Sequence, residues 1–215
     1  MADAAVAHVH LDPLGGIAGD MFAAAILDAR PELEPVVERA LRAAGLPQGV
    51  AVRLEPGRNG GLAGRRFVVK VESTNEPSGD FRRIRKDLTE SGLDAPVRDR
   101  ALAIYGALAE AEARVHGVPV DAVHFHELAD WDSFADIVAA AALIEAVGAA
   151  SWSISPLPLG AGTVRTHHGL LPVPAPATAL LLEGLPVRDD GLPGERVTPT
   201  GAAIRSEEPR LNSSH

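Results

Sequence analysis

From Asp132 to Val147 the chain carries an almost unbroken apolar run, with Asp136 and Glu145 its only charges after Asp132. Phe134, Ile137, Val138, Ala141 and Ile144 recur at helix-face spacing, and Ala139, Ala140, Leu143 and Val147 fill the other side. A helix that is apolar all round has no face to offer to water, so the rest of the chain has to wrap it. Asp136 sits inside that run, one turn after Asp132 and on the same side. A carboxylate buried there requires a cation, a metal ion or several N–H donors.

The segment feeding this helix concentrates ionisable side chains: His124, His126, Glu127, Asp130, Asp132 and Asp136. If His124-Phe125-His126 is extended, both imidazoles share one face and Phe125 takes the other. Imidazole and carboxylate oxygen together suit zinc, nickel, manganese or iron, and the chain has no cysteine to compete. The plainer reading treats the histidines as solvated or core residues, Asp132 as an N-cap and Asp130 as a first-turn dipole residue. For each residue singly that reading is the better one; for the set, a shared metal pocket holding His124, His126, Asp132 and Asp136 is favoured.

Composition narrows the rest. A length of 215 residues allows one sizeable core, and a formal charge of −9 disfavours nucleic acid and anionic membrane as partners. The basic run 82–86 has only Phe81 beside it and reads as a solvated helix face. Without cysteine there is no disulfide framework, in keeping with a cytoplasmic protein. The start lacks a basic leader, and no apolar run reaches the ~18 residues of a membrane span.

Along the chain, Val6–Leu11 alternates as a first strand, with His8 and His10 opposite Val9 and Leu11. A glycine-rich turn containing Asp12, Gly16, Gly19 and Asp20 then opens a helix. Such a turn can cradle phosphate, although its spacing matches neither dinucleotide nor P-loop fingerprints, and a tight strand–helix turn explains it equally well. Strands are expected at Val50–Glu55 and Phe67–Glu72, joined by a flexible loop with Asn-Gly turn chemistry. Helices are expected from about Phe81 to Glu90 and from Pro96 to His116, the latter histidine placed structurally at a helix end. A strand at Ser151–Ser155 precedes a glycine- and histidine-bearing loop through His168 and Gly169, a short helix over Ala179–Glu183, a strand over Leu185–Arg188, and a last helix opening near Thr200. The fold class expected is α/β: a single domain with one mixed sheet of about five strands flanked by helices. Residues 205–215 form a polar tail.

The blocks Asp12…Gly16-Ile17-Ala18-Gly19-Asp20-Met21, Arg58-Asn59-Gly60, Glu112…His116-Gly117, His124-Phe125-His126-Glu127…Asp132-Ser133…Asp136-Ile137, Ser155 to Thr178, and Val197 to Ala203 resemble one family. They are similar, in order and over nearly the whole chain, to the nickel insertion protein of nickel-pincer cofactor biosynthesis (LarC-type). The resemblance implies insertion of Ni²⁺ into pyridinium-3,5-bisthiocarboxylic acid mononucleotide with CTP, supplying the cofactor of lactate racemase. The metal ligands would be His124, His126, Glu127, Asp132 and Asp136, and the ligand-binding residues Asp12, Gly16, Gly19, Asp20, His168 and Gly169; no catalytic residue is assigned. Two departures stand out. Residues 73–80 lack the histidine-rich run of many members, and the family-like text stops after Ala203, where full-length members continue into a C-terminal half associated with CTP and a divalent metal. Residues 1–204 therefore look like the family's N-terminal portion, with that half, the mononucleotide and a second copy of the chain as partners to consider. Two other readings compete: a nickel-binding metallochaperone module without catalysis, and a metal-dependent hydrolase.

Overall fold

The structure, a computed structural model, describes residues 6–72 and 77–206. At its centre lies helix α5, Trp131–Val147, in which every residue from Ser133 to Ile144 is buried. Asp130 caps its N-terminus, its side chain accepting from the Ser133 amide at 2.6 Å, and Gly148 closes it in the left-handed region at φ 59°. The cap is thus Asp130 rather than Asp132, which falls in the first turn.

Four helices wrap α5: α1 (Gly19–Ala29), α2 (Glu34–Ala43), α4 (Ala95–His116) and α7 (Pro199–Ser206). Helix α3 (Phe81–Thr89) and the short α6 (Pro176–Leu181) lie against α4. Alanine carries much of this interface, with Ala135, Ala139, Ala140 and Ala141 fully buried; small side chains let the helices approach closely around the axis. Leu27, Ile104, Leu108, Ile137 and Leu143 fill the spaces between them. Helix α6 begins three residues earlier than its sequence pattern predicts, because Pro176 occupies the first helical position, where its missing N–H costs nothing.

The protein is mixed α/β and forms one compact domain, but its strands pair as five two-stranded ladders rather than one five-stranded sheet. Strand β1 (His8–Leu11) runs parallel to β4 (Ser151–Ile154). Strands β2 (Val50–Asn59) and β3 (Leu62–Val71) make the expected antiparallel hairpin. Its ladder continues to Asn59 opposite Leu62, so the segment expected to be a flexible loop is paired strand. Gly60 and Gly61, at φ 55° and 88°, supply the two positive φ angles that a two-residue hairpin turn demands.

The C-terminal third contributes short strands: β5 (Leu157–Pro158), β6 (Gly160–Ala161), β7 (Thr163–Thr166), β8 (Gly169–Pro172), β9 (Val187–Arg188) and β10 (Gly194–Glu195). They pair β5 with β9, β6 with β10 and β7 with β8, over a second small core of Ile17, Leu157, Leu182, Val197 and Ala202. The polar tail expected from residue 205 begins inside α7, which runs to Ser206; its remainder and residues 73–76 of the expected loop lie outside the described residues. Among the described residues no helix is long and apolar enough to cross a membrane.

Candidate functional site

The segment before α5 behaves as its alternation predicts. Phe125 is 2% exposed and packs against Phe81 and Tyr105, with ring centroids 6.2 and 6.1 Å away. Its amide donates to the Gly79 carbonyl at 2.8 Å, which holds the backbone extended. His124 and His126 consequently emerge together on the solvent side, with ring centroids 5.3 Å apart.

Three further imidazoles join them. His168, in the β7–β8 turn, lies 5.2 Å from His126 and 4.9 Å from His116 at the end of α4. His116 and His167 each stand 6.5 Å from His126. Glu127 fastens the turn, accepting from the His167 amide at 2.5 Å and contacting its ring Nδ1 at 2.9 Å. Beside these rings opens a cavity of about 220 Å³ lined by Glu112, His116, His126, Glu127, His168 and Glu195, with Val115, Leu128 and Ala177 as its apolar wall. A larger hollow of about 490 Å³ near Ile84 and Trp131 offers no imidazole.

Electrostatics favour the neutral, metal-binding form of the central ring. Burial and the four neighbouring histidines push the His126 pKa down. Burial acts to raise the Glu127 carboxyl, but the amide and ring of His167 outweigh it and hold it below the ordinary carboxylate value. Glu195 is pushed up, by burial first and by Glu127 second.

The aspartates form a different constellation. Asp136 is 5% exposed, and its Oδ1 has no hydrogen-bond partner among the described residues. Burial, then Asp132 and Asp20, push its pKa up to about 8, against the single opposing influence of the Asp20 amide. Asp132 is exposed and shifted upward by burial of its carboxyl, Asp130 and Asp20. The charges that shift His126 are histidines and those that shift Asp136 are aspartates, and Asp136 is buried where His124 and His126 are exposed. Among the described residues no three His, Asp or Glu side chains already converge to hold one metal ion.

The glycine turn meets Asp136, and its Gly16 and Gly19 are required by protein contacts. A Cβ on Gly19 would lie 2.6 Å from the Asp136 Cβ and Oδ2, and one on Gly16 would lie 1.9 Å from the Arg196 carbonyl oxygen. Asp20 stands in the first turn of α1, and Asp12 is exposed at the end of β1. Gly169 turns the β7–β8 hairpin at φ 95°.

Sequence reasoning placed His116 as a helix-end residue and passed over His167. The available signal for His116 was Glu112 one turn before it, 3.2 Å from its ring nitrogen. Nothing local marks His167 beyond its adjacency to His168.

The nickel insertion protein family model matches residues 9–208. The chain belongs to the nickel insertion protein family. Relatives named "Putative nickel insertion protein" include one from Geobacter metallireducens, 48% identical over 197 residues, covering 91% of this chain and 50% of the relative. Another, from Syntrophobacter fumaroxidans, is 45% identical over 195 residues, covering 91% of this chain and 49% of the relative. The chain spans about half the length of the family members it matches. No solved structure matches.

Proposed function

We propose that this chain is the nickel-holding, N-terminal part of an enzyme that inserts Ni²⁺ into pyridinium-3,5-bisthiocarboxylic acid mononucleotide. The carrying observation is the trio His116, His126 and His168 beside one cavity, with centroids 4.9, 5.2 and 6.5 Å apart. A metal bound at 2.0–2.1 Å from a ring nitrogen lies about 3.2 Å from that ring's centroid, so two rings sharing it at a tetrahedral angle stand about 5 Å apart. His168 has that spacing to both His116 and His126, whereas His116 and His126, at 6.5 Å, would have to draw closer to share the ion with it.

Nickel is cargo in this reading. Neutral imidazoles hold it as borderline ligands, and the softer sulfurs of the two thiocarboxylates draw it away. An arrangement that closes only on the ion suits loading followed by release. The cavity is smaller than the roughly 300–1,000 Å³ that encloses drug-sized ligands, so it suits an ion with part of an organic ligand rather than a whole nucleotide. Arg165 lines the cavity and is the cation assigned here to the mononucleotide phosphate. CTP and its divalent metal are assigned to the half of the protein into which the relatives extend, and the product would serve lactate racemase in the cytoplasm. The hydrolase alternative is disfavoured, because Asp136 is sealed from the water it would have to activate.

Calorimetric titration tests the metal step. Ni²⁺ should bind the chain, with Zn²⁺ and Mn²⁺ for comparison, and the His126→Ala/His168→Ala double variant should lose one equivalent of that binding. Equal binding by the variant would overturn the assignment. Activation of lactate racemase apoenzyme, with the remaining half of the protein added or withheld, separates an insertase from a metallochaperone that only carries nickel.

A further inference from the structure

A second set of histidines lies outside this site, on the β1–β4 ladder. His8 and His10 are two residues apart on β1, so both side chains leave the same face, and both are exposed. Opposite them, Ser151 and Ser153 occupy the paired positions of β4, and Ser155 continues the strand, its amide donating to the Leu11 carbonyl at 3.0 Å. The five side chains interleave. His8 Nδ1 is 2.8 Å from Ser151 Oγ, and His8 Nε2 is 2.8 Å from Ser153 Oγ. His10 Nδ1 is 2.7 Å from that same Ser153 Oγ, and His10 Nε2 is 3.2 Å from Ser155 Oγ.

Two ring nitrogens from different histidines therefore converge on one small spot. Ser153 has a single proton, so it donates to one of these nitrogens and accepts from the other. A divalent transition metal seated at that spot, with the Ser153 hydroxyl turned aside, would be bound by His8 Nε2 and His10 Nδ1, water completing its shell. Each imidazole would then keep its remaining N–H on the outer nitrogen. A hydroxyl is already within hydrogen-bond distance of each: Ser151 for His8 and Ser155 for His10. Metal-bound histidines characteristically donate their second ring N–H to such a partner, which fixes the tautomer and the ring plane. As a purely structural ladder the arrangement has little to recommend it, because hydrogen bonds on a solvated face add little net stability.

The geometry points to a surface site for a divalent transition metal ion at His8 and His10, separate from the His116–His126–His168 trio and oriented by the flanking serines. Imidazole ligands favour nickel, copper or zinc over magnesium or calcium. The net charge of −9 raises the local concentration of any such cation.

The test uses the full chain carrying His116→Ala, His126→Ala and His168→Ala, so that the cavity site cannot contribute, titrated with NiCl₂ and with ZnCl₂. One equivalent of metal should still bind, and paramagnetic Ni²⁺ should broaden the NMR signals of His8 and His10 first. Adding His8→Asn and His10→Asn, which keep polar side chains on the strand, should weaken that binding at least tenfold. Ser153→Ala should retain it, since the hydroxyl is displaced rather than required. A triple variant that binds no metal, or one whose binding survives the two asparagines, would overturn the site. Neither result bears on nickel binding at the trio, which is read from the equivalent lost in the His126→Ala/His168→Ala variant.

Discussion

Replacing Asp136 by asparagine isolates the most unusual electrostatic feature of the core. The carboxyl is 5% exposed on a helix otherwise lined by alanine, isoleucine and leucine, with one oxygen unpartnered and a pKa pushed up to about 8 from the ordinary 3.8. Because the folded value lies above the unfolded one, the native state holds a proton that the unfolded chain releases between those values. Stability from this group is complete below the ordinary carboxylate range and is lost as pH rises through about 8. The loss runs at about 1.4 kcal/mol per pH unit, so between pH 5 and pH 8 it amounts to about 3–4 kcal/mol, a large share of a typical domain's stability. Asp136→Asn keeps the shape and cannot ionise, so its stability should lack that slope. Urea unfolding at pH 5, 6, 7 and 8, with the m-value checked for constancy, measures both proteins. The stability difference between variant and wild type should move in the variant's favour by about 3–4 kcal/mol over this range. Parallel pH profiles, agreeing within about 0.3 kcal/mol per unit, would refute a buried neutral acid and mean that Asp136 stays ionised with a partner.

Gly19→Ala should destabilise the fold by about 2 kcal/mol or more, since the new Cβ would meet Asp136 at 2.6 Å across the α1–α5 contact; thermal melts read this out. Asp130→Ala removes the α5 cap and should cost about 1 kcal/mol in urea unfolding while leaving the nickel affinity of the histidine trio unchanged. Glu127→Gln should lower nickel affinity severalfold by releasing the His167–His168 turn, with a change in stability of less than about 1 kcal/mol because the contact is exposed. The Glu127 carboxyl is held below its usual value, so its charged contact is present above that range and lost as pH falls through it. Nickel affinities of wild type and variant are therefore compared near neutral pH, where Glu127 is charged and the imidazoles are free to bind metal.

The sequence by itself determined the central helix, because an apolar run with no polar face has one possible environment. It determined the helix ends at Gly117 and Gly148, where the left-handed conformation needs glycine, and the β2–β3 pairing, where alternation and a glycine turn agree. It also set which side of the 124–126 segment carries imidazole, since a period of two allows one answer. The gathering of His116, His126 and His168 needed the tertiary structure: they come from the end of α4, an extended segment and a hairpin turn, and no local periodicity links such distant positions. The same holds for the opposite exposure of Asp136 and His126. Asp136 lies close to His126 in sequence, but the helix turns its carboxylate inward against Gly19 while Phe125 anchors the histidines outward. Chain proximity fixed which groups could meet; the packing of α1 and α4 on α5 decided which did.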